Sequence, residues 1–122
     1  MIATLAATLM LHKCKELPKG TIVTERVLWE TIVEAGKEVT LELSRAKLLA
    51  ISWGESKYKI DAQNPKSSAY GLWGFLDSTR KTYNVPKNRC TYCQTLGALR
   101  YIKSRYRTVD EAYKHFIRKG WY

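Results

Sequence analysis

The sequence predicts a mainly α single domain, and three observations support that class. Apolar residues recur at steps of three and four along most of the chain, the period of a helix face. Pro18-Lys19-Gly20, Gly36 and Gly120 fall where those stripes end, as helix breakers and stops do. The 122 residues are 45% hydrophobic and 26% charged, a globular balance for one ordinary domain. No internal repeat, low-complexity tract or inter-domain linker is visible, so the chain reads as one domain over residues 1–122. Residues 1–40 form a helical extension of it and residues 41–122 its core.

The first eleven residues are apolar, with Ile2, Leu5, Leu9 and His12 at helical spacing. They predict an amphipathic helix packed on the domain or on a partner. This stretch falls short of the ~20 residues that cross a bilayer. It lacks the basic start and cleavage site of a signal peptide, so no transmembrane segment is expected. Thr21 is the expected cap of a second helix, whose stripe is Val23, Val27, Leu28, Thr31, Ile32 and Ala35 and whose stop is Gly36. A third helix begins near Thr40 or Ser44 and passes through Leu48, Leu49, Ile51 and Trp53 to about Lys57. Over residues 58–73 the helical pattern fails. Asp61, Asn64-Pro65, Ser67-Ser68 and Gly71 predict a loop there, with room for a small hairpin. A short helix over residues 75–83 follows, then a connection containing Pro86. Two further helices are expected, over residues 91–105 with Leu96, Leu99 and Ile102 on one face, and over residues 109–119.

The charge is the strongest compositional signal: 21 Lys and Arg against 11 Asp and Glu, a net of +10. Such a field attracts polyanions, whether nucleic acid, anionic lipid or anionic cell-wall polymer. Arg100, Lys103, Arg105, Arg107, Arg118 and Lys119 recur with tyrosines, but at the spacings of an exposed helix face. Nucleic-acid contact is therefore expected to be secondary. Three cysteines, an odd number, argue against a complete disulfide framework. Cys90-Thr91-Tyr92-Cys93 is a CxxC, which with His12 and Cys14 would supply four zinc ligands; incidental thiols are the plainer reading. No cofactor is expected.

On the third helix Leu48, Ile51, Ser52 and Glu55 share one side, because steps of three, four and seven return to the same face. Glu55 therefore projects from the apolar side at the helix's C-terminal end. Desolvation and the negative end of the helix dipole both raise its pKa. A carboxyl group protonated near neutral pH is what glycosidic cleavage needs, since the leaving oxygen must receive a proton. The plainer alternative is a helix-edge Glu reaching solvent or Lys59. The following loop carries Tyr58, Tyr70 and Trp73, flanked by Trp53 and Phe75, aromatic faces suited to sugar rings. Trp53 and Phe75 are expected to pack inside. Asn64, Ser67 and Ser68 offer hydrogen bonds, and Gly71 and Gly74 allow close backbone approach or simply form turns.

Trp53-Gly54-Glu55-Ser56, followed by Ala69-Tyr70-Gly71-Leu72-Trp73-Gly74-Phe75-Leu76-Asp77-Ser78-Thr79, resembles the lytic transglycosylase family of the lysozyme superfamily. Downstream, Gln94-Thr95-Leu96-Gly97-Ala98-Leu99-Arg100-Tyr101-Ile102, Arg105-Tyr106 and Gly120-Trp121-Tyr122 are similar to phage-borne members. The likeness covers about residues 45–122. It implies a lysozyme-like helical fold around a sugar cleft. It also implies cleavage of the β-1,4 bond between N-acetylmuramic acid and N-acetylglucosamine in peptidoglycan, leaving a 1,6-anhydro end. By the same carry-over Glu55 is the catalytic acid and then base. Ser56, Tyr70, Gly71, Leu72 and Trp73 place the substrate, and Tyr101 faces the cleft. Three positions depart from the family: Gly74 replaces a Gln, Arg107 a Gly, and Ala112-Tyr113-Lys114 stands for an Ala-Tyr-Asn segment. A lysozyme-like hydrolytic outcome would need a second carboxylate, for which Asp61 is the better candidate and Asp77 the other. The expected setting is a virion, acting at the periplasm or cell wall and contacting other virion proteins during genome entry. A non-catalytic tail or ejection subunit and a basic nucleic-acid binder are the competing readings.

Overall fold

In the computed structural model, which describes residues 14–122, five α-helices form and the extended backbone is limited to isolated bridges. They are α1 (Glu25–Gly36), α2 (Arg45–Ser56), α3 (Asp77–Tyr83), α4 (Thr91–Arg105) and α5 (Val109–Lys119). The amphipathic helix expected over the first eleven residues, and His12, lie outside the described residues.

Helix α1 starts three residues later than a cap at Thr21 suggests. The Thr21 hydroxyl donates to the Pro18 carbonyl at 2.6 Å, and Ile22 bridges to Lys59, so this stretch is turn and extended chain. Thr24 caps instead, its hydroxyl accepting the Val27 N–H at 3.2 Å. Ser44 is the N-cap residue of α2 without a side-chain cap bond, and Lys57 ends that helix in the left-handed region. Helix α3 begins at Asp77 because Phe75 is taken by a small hairpin. Tyr70 and Phe75 exchange backbone hydrogen bonds at 3.0 and 3.1 Å, and Gln63 bridges to Tyr70.

Helix α4 is the central element. Leu96, Ala98, Leu99 and Ile102 are buried, and α1 packs on this helix through Leu28, Ile32 and Ala35. Residues 25–36 thus share the core of the later helices rather than extending from it. Each fully buried Leu or Ile contributes about 1.5–3 kcal/mol relative to exposure. Helix α2 adds Leu48, Leu49 and Ile51 to the same core and packs on α5. Its Gly54 sits against the Phe116 ring of α5, where a Cβ would overlap the ring atoms. Glycine costs a helix interior about 1 kcal/mol against alanine; here it permits the close packing of α2 on α5 that fixes the end of α2.

A disulfide joins Cys14 to Cys93, across a separation of 79 residues. Closing so long a loop stabilises by about 4 kcal/mol in the chain-entropy view. Among the described residues no helix is long and apolar enough to cross a membrane.

Candidate functional site

The apolar face of α2 leads directly to Glu55. Leu48, Ile51 and Ser52 on that face are fully buried, and Glu55 emerges one turn later, partly buried. Two grooves meet at this residue. The larger, about 500 Å³, is lined by Phe75, Leu76, Thr79, Tyr101, Arg105 and the 120–122 segment. The smaller, about 310 Å³, is lined by residues 54–57, 62–65 and Gly71. Glu55, Asn64, Ala69 and Gly74 belong to both, so the carboxyl group stands where one groove passes into the other. Burial raises its pKa from 4.5 to about 7, with no ion pair or hydrogen bond among the described residues to oppose it.

Gly74 is pressed against that carboxyl group. Its φ is +62°, and a Cβ built on it would overlap Oε2 and stand 3.0 Å from Cδ of Glu55. A residue other than glycine would therefore be strained and would displace the acid.

The backbone behind Gly74 is held by buried side chains. The Ser52 hydroxyl donates to the Leu72 carbonyl at 2.8 Å, and Ser56 Oγ lies 2.9 Å from both the Ser52 and Leu72 carbonyls. Gln94 accepts the Leu72 N–H at 2.8 Å and donates to the Ile60 and Asn88 carbonyls at 3.0 and 2.7 Å. Trp73 Nε1 donates to Thr95 Oγ1 at 3.1 Å. On the far side the Tyr122 hydroxyl donates to the Trp73 carbonyl, and the Tyr101 hydroxyl to the Tyr122 carbonyl, both at 3.0 Å. Burial pushes Tyr101 up to about 12. It also raises Tyr122 well above its usual range, helped by the nearby Glu55 carboxylate. Both phenols thus remain neutral donors through physiological pH. Replacing Gln94 by Ala leaves two buried backbone groups, the Leu72 N–H and the Ile60 carbonyl, without their partner, while the Asn88 carbonyl keeps the Tyr70 hydroxyl. We expect a loss of about 2–4 kcal/mol, read as a lowered denaturation midpoint in urea with the slope unchanged.

The residues singled out in the sequence divide in two. Glu55, Ser56, Gly71 and Tyr101 line the grooves. Tyr70, Leu72 and Trp73 line neither. Leu72 and Trp73 are in the core, because the tight turn at Gly71, with φ +85°, turns the next two side chains inward. Tyr70 faces away, its hydroxyl donating to the Asn88 carbonyl at 3.1 Å and its ring beneath Lys87 and Arg80. Phe75 is buried as expected, but Trp53 is 47% exposed, its ring against Tyr58 and under the Lys57 ammonium.

Asp61 lines neither groove; it accepts the Gly20 N–H at 2.9 Å. Asp77 pairs with Arg80. Glu55 is thus the one acidic side chain, among the described residues, that lines either groove. The zinc set proposed from sequence is altered: Cys14 and Cys93 are bonded to each other, and thiolates so joined are not ligands. Arg100, Lys103, Arg105, Arg107, Arg118 and Lys119 are exposed, and Arg105 alone of them reaches the larger groove.

Sequence reasoning missed Ser52, Gln94, Thr95 and Tyr122 as the holders of this loop. Buried polar side chains on otherwise apolar helix faces were the available signal, since such groups are retained only with partners. Comparison with known families, curated proteins and solved structures finds no match.

Proposed function

We propose that this protein is a peptidoglycan lytic transglycosylase with a lysozyme-like arrangement of helices. The observation that carries the reading is a single carboxyl group, raised to about 7, at the junction of two grooves. A glycan strand laid through both grooves would put one glycosidic oxygen beside Glu55. The protonated carboxyl group donates to that oxygen as the C1–O4 bond breaks. The resulting carboxylate then takes the proton of the muramic C6 hydroxyl, whose oxygen closes onto C1. Bond and proton counts balance without water, and Glu55 ends in its starting state.

Among the described residues no second acidic side chain lines the grooves, which favours this route over hydrolysis, since hydrolysis would ask a further carboxylate to activate water. Groove walls rich in backbone, with Asn64, Ser67 and the rings of Tyr101 and Trp121, suit acetamides, hydroxyls and the apolar faces of sugars. The net charge of +10 suits an anionic wall. On the same reading the protein acts from a virion at the cell wall, beside other virion proteins.

Isolated sacculi are the test substrate. The protein should release fragments with 1,6-anhydro ends by mass spectrometry. Reducing ends would replace the transglycosylase by a hydrolase, and no release would contradict the enzyme altogether. The pH profile follows from the sign of the shift. The starting acid must be protonated, so the rate is flat below about 7 and falls near tenfold per unit above it. Because the proton returns to the same group, Glu55 adds no acidic limb of its own. Initial rates on sacculi between pH 5 and 9 check this.

A further inference from the structure

The three cysteines bring their sulfurs within 4.8 Å of one another. Cys14 and Cys93 are bonded, while Cys90 stays outside the bond and is buried. The Cys90 Sγ accepts the Cys93 N–H at 3.2 Å, because Cys90 is the N-cap of α4 and Cys93 lies in its first turn. Residues three apart at a helix start face one another, and their Cα atoms stand about 5 Å apart, inside the range that a disulfide spans. The cluster therefore has two ways to pair Cys93: with Cys14, which is far away in sequence, or with Cys90 on its own helix.

We propose that Cys14, Cys90 and Cys93 form an internal disulfide-exchange site, in which Cys90 takes Cys93 from Cys14 and so unties the N-terminal segment from the helical domain. In the exchange the Cys90 sulfur attacks Cys93 Sγ. The Cys90–Cys93 bond forms, the Cys14–Cys93 bond breaks, and its electron pair leaves on Cys14. That sulfur takes up the proton that Cys90 gives up. One disulfide and one thiol are present before and after, so no oxidant or reductant enters. What changes is the tether. Residues 16 and 17 remain held: the Leu17 N–H donates to the Arg89 carbonyl, the Arg89 N–H to the Glu16 carboxylate and Arg89 Nε to the Leu17 carbonyl, all at 2.7–2.9 Å. Only Cys14, just before them, loses its covalent hold on the helical domain. The site thus switches the Cys14 end of the described chain between tied and untied states. It does not rest on Glu55 or on the proposed reaction.

The full chain, purified without reductant, is incubated in native buffer with excess N-ethylmaleimide. It is then quenched in acid and mapped with pepsin. Exchange predicts the steady appearance of a maleimide adduct on Cys14 together with a Cys90–Cys93 disulfide, at a rate independent of protein concentration. Cys90→Ser and Cys90→Ala should retain Cys14–Cys93 and give at least tenfold less Cys14 adduct. Adduct on Cys90 with Cys14–Cys93 intact would overturn the proposal. So would persistence of the native pairing with no adduct, or a Cys14 adduct that forms equally fast in both variants. The wild-type map alone decides the matter should either variant fold poorly.

Discussion

Glu55→Gln removes the release of anhydro fragments from sacculi, by about 10³-fold or more, and at the same time makes the protein more stable at pH 8. The first effect follows from the proposed role, since a positioned acid and base contributes about 10²–10⁴ in rate and the amide can neither give nor take the proton. The second follows from burial. The folded state holds the Glu55 pKa at about 7, above the 4.5 of the open chain. Stability drawn from the neutral form is complete below 4.5 and is lost as pH rises through 7. At pH 8 the wild type therefore carries a desolvated charge that Gln does not. Solvent in the open grooves screens part of this cost, which leaves on the order of 1–2 kcal/mol. The melting temperature of the variant should exceed that of the wild type by about 3–6 °C at pH 8 and match it at pH 4. A variant that is inactive but no more stable at pH 8 would place Glu55 in an environment less buried than described.

Gly74→Ala carries the next largest effect. The new Cβ would meet Glu55 Cδ at 3.0 Å and Cβ at 3.2 Å, on a backbone with φ +62°. Left-handed backbone costs a non-glycine residue about 1–2 kcal/mol, a modest loss for the fold. The acid has to move, and misplacing a catalytic group by about 1 Å costs around 10²-fold. Fragment release should fall by that factor while the chain remains folded by circular dichroism. On a Glu55→Gln background the same substitution should cost almost nothing more, because the group it displaces no longer works. Equal losses on both backgrounds would mean that Gly74 acts on the glycan and not through Glu55.

The helical class was legible because the apolar period survives along α1, α2, α4 and α5, and the same period placed Glu55 on the buried face of α2. The hairpin at Tyr70 and Phe75 was legible only as a break in that pattern, since its pairing depends on two short backbone exchanges. Trp53 was misplaced because a Trp in an apolar stretch reads as core, yet it lies off the Leu48–Ile51–Ser52 face and meets solvent. Leu72 and Trp73 sit within a motif that suggested substrate contact, but the turn at Gly71 makes them the floor under the grooves. Gln94 reaches Leu72 across 22 residues, and Cys14 pairs with Cys93 across 79. Neither partnership leaves a periodic trace, and an odd cysteine count concealed the second.

Carbon-detected NMR of the glutamate side chains, titrated from pH 3 to 9 and assigned through the Glu55→Gln variant, reads the proton on which the proposed chemistry turns. One carboxyl resonance, missing from the variant, should titrate with a midpoint near 7. A midpoint at the ordinary 4.5 would leave the group ionised at neutral pH, without a proton to give to a leaving oxygen.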